Sequence, residues 1–157
     1  MKKILAPVLE TTFYVGVADL LLAITEFYVV NGKFPERLLK YIASGLLGLE
    51  KGMAGGVGAE MLGLFIHFSI CFLFTLFYFL IYPFIRPLAR KFVVSGLLYA
   101  VFVNLTMNLV LLPMTSLPAA GPFLLARAFL TWVLLGLVLG IPIAYFARKH
   151  YDAGSVR

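Results

Sequence analysis

Charged residues are scarce in this chain, and their scarcity excludes an ordinary water-soluble domain. Only 13% of the 157 residues are charged, whereas 62% are hydrophobic, and the mean hydropathy is +1.02. A soluble domain normally has about 25% charged residues. The chain has too few polar side chains to cover a surface in water, so the sequence predicts an integral membrane protein.

Cysteine, histidine and enzyme motifs are scarce as well. Cys71 is the single cysteine, so an intrachain disulfide is excluded, and there is no CxxC or comparable Cys/His spacing. HExxH and GxSxG motifs are absent, and one intramembrane histidine is too few for bis-histidine haem ligation within a chain. The net charge of +6 comes without a basic segment that has interleaved aromatic residues. We therefore expect no enzymatic activity, no cofactor, no metal site and no nucleic-acid partner.

Four long hydrophobic segments occupy most of the chain, at residues 7–30, 60–82, 92–114 and 123–146. Each is longer than the roughly 20 predominantly apolar residues that cross a hydrocarbon core about 30 Å thick. Residues 36–51 form an amphipathic pattern that is too short and too charged to span a membrane. The predicted fold is a single all-α domain, a bundle of four transmembrane helices with one outer amphipathic helix.

Basic residues predict the orientation of this bundle. Those on the side of the two termini are Lys2, Lys3, Arg86, Arg90, Lys91, Arg148, Lys149 and Arg157. Fewer lie on the other side, namely Lys33, Arg37, Lys40, Lys51 and, at the start of the fourth span, Arg127. The positive-inside rule therefore predicts that both termini are cytoplasmic.

Four polar residues inside the spans define a candidate site. Asp19 lies near the middle of the first span, His67 lies two turns inside the second, and Asn104 and Asn108 are one turn apart in the third. Ionisable residues within a membrane are costly and are functional candidates by default. With the predicted orientation, they fall in or near the outward half of the bundle. We expect a site that binds or conducts a proton, a cation or a small polar solute.

In this hypothesis, Asp19 and His67 exchange protons, and the two asparagines are neutral ligands. Three charged residues near the outer ends of the spans, Glu26, Glu60 and Arg127, are the candidate rim of the site. Each group also has a structural interpretation. The asparagines can link helices through hydrogen bonds, Asp19 and His67 can each bond to a neighbouring helix, and the rim charges can be ordinary interfacial residues.

Two assemblies remain open at this stage. Four spans are few for one transporting protomer, so a homo-oligomer is expected if the chain transports. A ridge of mostly small residues on the fourth span is the candidate contact between copies: Ala128, Trp132, Gly136, Gly140 and Ala144. The alternative function is a non-catalytic accessory or assembly subunit of a larger membrane complex, in which the polar residues serve only packing.

Several sequence blocks between Arg37 and Pro118 resemble a known family. They are IASGLLG at 42–48, the glycine pair at 55–56, GLFIHFSI at 63–70 and GLLYAVFVNLTMNLVLLPMTSLP at 96–118. With these blocks the chain resembles the YagU-like family of small, uncharacterised bacterial inner-membrane proteins. The resemblance implies a four-span bundle in the bacterial cytoplasmic membrane, with His67 and Asn108 at family-typical positions. It implies no particular activity, substrate or cofactor.

Overall fold

Most of the chain that the structure describes is helical. The computed structural model describes residues 2–117 and 125–154, and side chains within 4–117 and 129–152. These ranges contain no β-strand. In chain order the helices are α1 (Lys2–Asn31), α2 (Leu38–Leu47), α3 (Leu49–Ala54), α4 (Val57–Ile81), α5 (Arg86–Ala89), α6 (Phe92–Thr106), α7 (Leu125–Leu135) and α8 (Ile141–Gly154).

Four helical stretches are long and apolar enough to cross a membrane. They are Ile4–Asn31, Val57–Ile81, Phe92–Met114 and Phe129–Asp152. The shortest has 23 residues, which at 1.5 Å per residue gives about 34 Å and exceeds the hydrocarbon thickness. The four predicted helices are therefore present, and they suggest a multi-pass membrane protein. The predicted start of the fourth span, residue 123, lies outside the described residues.

The third and fourth of these stretches each contain a π-helical turn just before a proline. The turns are Met107–Leu111 and Gly136–Gly140. The N–H of Leu112 donates to the carbonyl of Met107, and the N–H of Ile141 donates to the carbonyl of Gly136. Pro113 and Pro142 come next, and a proline ring would clash with the carbonyl four residues earlier. The wider turn accommodates the proline while the helix continues.

The single amphipathic helix predicted over 36–51 is wrong, because the structure divides it into α2 and α3. The two helices meet at Gly48, whose φ of +84° is a left-handed conformation that only glycine adopts without strain. α2 lies against α4, and a Cβ on Gly63 would meet the backbone of Leu39. Because Gly63 has no side chain, the two backbones can touch. The amphipathic segment is thus fixed to the second span.

The buried core lies in the half of the bundle that holds the two chain ends. Its largest side chains are tyrosine and phenylalanine residues of α4 and α6, packed against α8 and the start of α1. Tyrosine hydroxyls connect these helices. Tyr99 donates to the Phe74 carbonyl over 2.6 Å, and Tyr151 donates to the Phe79 carbonyl over 2.7 Å. The opposite half of the bundle contributes little to this core.

The small-residue ridge of the fourth span contacts α6 of the same chain. A Cβ on Gly140 would meet the carbonyl oxygen of Gly96, and a Cβ on Gly136 would lie 2.6 Å from the side chain of Leu97. Ala144, on the same ridge, is fully buried. Gly136 and Gly140 therefore pack against α6 of the same chain, and the contact of this ridge with a second copy stays a prediction. The side chain of Ala128 lies outside the described residues.

Candidate functional site between the first and second spans

Three side chains with metal-ligating atoms converge where α1 faces α4. One ligand atom each from Asp19, His67 and Cys71 lies within 4.8 Å of the other two. Cys71 is buried, and Asp19 and His67 are half-buried. Asp19 lies near the middle of the stretch Ile4–Asn31, and the other two lie near the middle of α4. The site is therefore well inside the bundle and away from the helix ends.

A glycine on α1 brings the two helices close enough for His67 to reach across. The Nε2 atom of His67 lies 2.9 Å from the carbonyl oxygen of Gly16. A carbonyl can only accept, so Nε2 carries the proton in this hydrogen bond. A Cβ on Gly16 would lie 2.6 Å from the Phe68 ring, so a larger residue would require that ring to move. The hydrogen bond to the Gly16 carbonyl holds the ring of His67 beside Asp19.

Cys71 follows His67 by one helical turn, so both side chains lie on the same face of α4. Its sulfur is 3.8 Å from His67 Nε2. The predicted site does not include Cys71, although its four-residue spacing from His67 is visible in the sequence. The missing information was the register of α1 against α4, which brings Asp19 to this face.

Asp19 has no basic side chain paired with it among the described residues. The two ion pairs in that part of the chain are Lys40–Glu60 and Arg148–Asp152. The carboxylate of Asp19 forms no hydrogen bond within the described side chains. A carboxylate at this depth is costly unless it is paired. Its oxygens are available to a cation.

The two predicted asparagine ligands form hydrogen bonds away from Asp19 and His67. The side-chain oxygen of Asn104 accepts a 2.8 Å hydrogen bond from Trp132 Nε1, which links α6 to α7. The Nδ2 atom of Asn108 donates to the Asn104 carbonyl over 2.8 Å, and Asn108 is exposed. Within 4–117 and 129–152, no hydrogen bond joins either asparagine to Asp19 or His67. The contacts of Asn104 are those of an interhelical link.

The three predicted rim residues do not form one group. Glu60 lies 3.5 Å from Lys40 Nζ, so it joins α4 to α2. Glu26 lines a mainly apolar groove of about 710 Å³ between α1 and α7, together with Thr25 and Thr131. The side chain of Arg127 lies outside the described residues.

Comparison of the chain with protein-family models, with curated proteins and with solved structures finds no match. The side chains of the site and the apolar helices around them are therefore the features that indicate a function.

Proposed function

We propose that this chain is a small multi-pass membrane protein that binds a cation between its first and second spans and supports its permeation. One observation carries the proposal, namely the convergence of Asp19, His67 and Cys71 within 4.8 Å near the middle of two apolar helices. Of the three solutes that the sequence leaves open, a cation fits best. All three side chains can offer an electron pair, and no Lys or Arg among the described residues pairs with Asp19.

The energetics of a buried carboxylate support this proposal. An Asp at the centre of a membrane-spanning helix costs at least about 2.5–3.5 kcal/mol on insertion scales. A bound cation would offset that cost by supplying the opposite charge. A purely structural Asp19 would instead be expected to accept hydrogen bonds from a neighbouring helix, and none is present among the described residues.

The membrane, orientation and assembly are part of the same proposal. The distribution of basic residues supports cytoplasmic termini, and the resemblance to the YagU-like family supports the bacterial cytoplasmic membrane. We expect a homodimer or larger assembly in the bilayer, because one site in four spans does not make a continuous pathway. Because Gly136 and Gly140 already pack against α6, we expect the contact between copies to use other faces.

Flux measurements in proteoliposomes test the proposal. We expect the wild-type chain to pass at least one of a panel of monovalent and divalent cations. Both Asp19→Asn and His67→Ala should lower that flux at least about tenfold, since each removes a ligand. Glu10→Gln, an exposed acid on the same helix as Asp19, and His150→Gln, the other histidine, are matched controls and should retain the flux.

Absence of flux in the wild-type chain and in every variant, with helix content intact, would contradict permeation. It would favour the alternative function, an accessory or assembly subunit of a larger membrane complex. Equal flux in wild type and Asp19→Asn would show that ions pass without using this site.

A further inference from the structure

We propose that the bound cation is a divalent transition metal of the zinc class and that Cys71 is its third protein ligand. The inference deepens the proposed function and rests on it, because it names the ion that the same site would take. It adds Cys71, which the sequence alone did not place with Asp19 and His67.

The donor atoms select the class of metal. The site offers one carboxylate oxygen from Asp19, one imidazole nitrogen from His67 and one sulfur from Cys71. Ca²⁺ and Mg²⁺ prefer sites made of oxygen ligands alone. Thiolate and imidazole ligands instead suit borderline and soft ions such as Zn²⁺ and Co²⁺. A mixed oxygen, nitrogen and sulfur set is therefore a poor site for the common hard cations.

The separations are close to those of a coordinated ion. Tetrahedral Zn²⁺ has Zn–N of about 2.0–2.1 Å and Zn–S of about 2.3 Å, which places the nitrogen and sulfur roughly 3.5 Å apart. His67 Nε2 and Cys71 Sγ are 3.8 Å apart. All three ligand atoms lie within 4.8 Å of one another, so closure around an ion needs movements of about 1 Å. Side-chain rotation alone supplies such movements.

The charge of the site favours a divalent ion over a monovalent one. With Asp19 as carboxylate, Cys71 as thiolate and His67 as neutral imidazole, the ligands carry two negative charges. A divalent cation makes the whole site neutral, which is the least costly state in a low-dielectric bundle. A monovalent cation would leave one negative charge there.

Binding exchanges protons for the metal and involves no oxidation. The S–H bond of Cys71 breaks, its proton leaves to solvent, and a metal–sulfur bond forms. The ligand atom of His67 is Nε2, the nitrogen that lies 3.8 Å from the sulfur. Its proton moves to Nδ1, and the hydrogen bond to the Gly16 carbonyl is replaced by the metal–nitrogen bond.

Three protein ligands leave the fourth position of a tetrahedral ion for water. Structural zinc sites usually have four protein ligands, whereas sites with three keep an exchangeable position. An ion that must enter and leave the site needs this kind of coordination. The geometry is therefore consistent with a permeating metal and does not resemble a closed structural site.

Cobalt spectroscopy of the full-length chain in detergent micelles tests the inference. Tetrahedral Co²⁺ bound to a thiolate gives a near-ultraviolet charge-transfer band and intense visible bands. Cys71 is the only cysteine, so a thiolate band can come from no other residue. Purification must use a tag without histidine. We expect one Co²⁺ per chain with a charge-transfer band, and displacement of that Co²⁺ by Zn²⁺.

Substitutions assign the three ligands. Cys71→Ser should abolish the charge-transfer band, and Asp19→Asn and His67→Gln should each weaken Co²⁺ binding at least about tenfold. His150→Gln should bind Co²⁺ as the wild type does. The wild-type spectrum needs no variant, so the test does not depend on the folding of Cys71→Ser.

The outcomes separate the two proposals. Absence of a thiolate band in the wild type would overturn the inference. If Asp19→Asn and His67→Ala then still abolished the flux of another cation, the proposed function would stand without the transition metal. If no cation bound to or passed through the wild-type chain, the proposed function and the transition-metal site would both be refuted.

Discussion

The crossing of α6 and α8 leaves no room for a side chain at Gly96. The methyl group that Gly96→Ala adds should therefore destabilise the fold. A Cβ on Gly96 would lie 2.6 Å from both the Cα and the N of Ile141, whereas ordinary van der Waals contact begins at 3.4 Å. Backbone atoms cannot rotate away as the end of a side chain can. In Gly96→Ala, the helices must separate by about 0.8 Å, the difference between these distances.

Two opposing terms set the expected magnitude. Overpacking in a well-packed interior costs typically 1–3 kcal/mol. Alanine in place of glycine within a helix contributes about 0.5–1 kcal/mol in the stabilising direction. We therefore expect Gly96→Ala to lower the free energy of unfolding by roughly 1 kcal/mol, the difference between the midpoints of the two ranges. Gly58→Ala is the matched control, because a Cβ at this position in α4 meets no atom within 4 Å, and it should be neutral or slightly stabilising.

The assay is unfolding in detergent micelles, followed by circular dichroism and by the fluorescence of Trp132, the only tryptophan. Each variant is measured at two protein concentrations. Equal stability of Gly96→Ala and Gly58→Ala would refute the reasoning. A loss of stability that depended on protein concentration would place this helix contact between copies of the chain, contrary to the structure.

Two further predictions concern hydrogen bonds between helices. Trp132→Phe and Asn104→Leu should each lower the free energy of unfolding by about 0.6–1.7 kcal/mol. The double variant should lose less than the sum of the two, because both substitutions remove the same hydrogen bond. Additive losses in unfolding measurements would contradict this prediction. Tyr99→Phe should lower the free energy of unfolding by about 1–2 kcal/mol, because it removes the donor to the Phe74 carbonyl. Tyr145→Phe, at an exposed position, is the control and should change the melting temperature little. Equal shifts in melting temperature for the two variants would argue against the buried hydrogen bond of Tyr99.

The sequence predicts the helices better than their contacts. Hydrophobic runs of more than 20 residues identify membrane-spanning helices because the hydrocarbon thickness sets their length. The break at Gly48 was harder to predict, since the amphipathic pattern continues across it and only the left-handed backbone ends the helix. A glycine within such a pattern is compatible with either outcome.

The candidate site shows a similar limit. Asp19 and His67 were identified because each is costly within a membrane, and that cost can be read from residue type alone. The grouping with Asn104 and Asn108 assumed that polar faces at one depth converge. The structure instead pairs Asn104 with Trp132 and places Cys71 beside His67. Pairing between helices depends on their rotation and register, which periodicity within each helix does not determine.

The most direct test of the central claim is X-ray absorption at the zinc edge of the chain loaded with one equivalent of Zn²⁺. The account predicts one sulfur at about 2.3 Å and three nitrogen or oxygen ligands at about 2.0–2.2 Å. Cys71→Ser should lose the sulfur and retain the lighter ligands. A wild-type shell of nitrogen and oxygen alone would contradict the assignment of the ion to Asp19, His67 and Cys71.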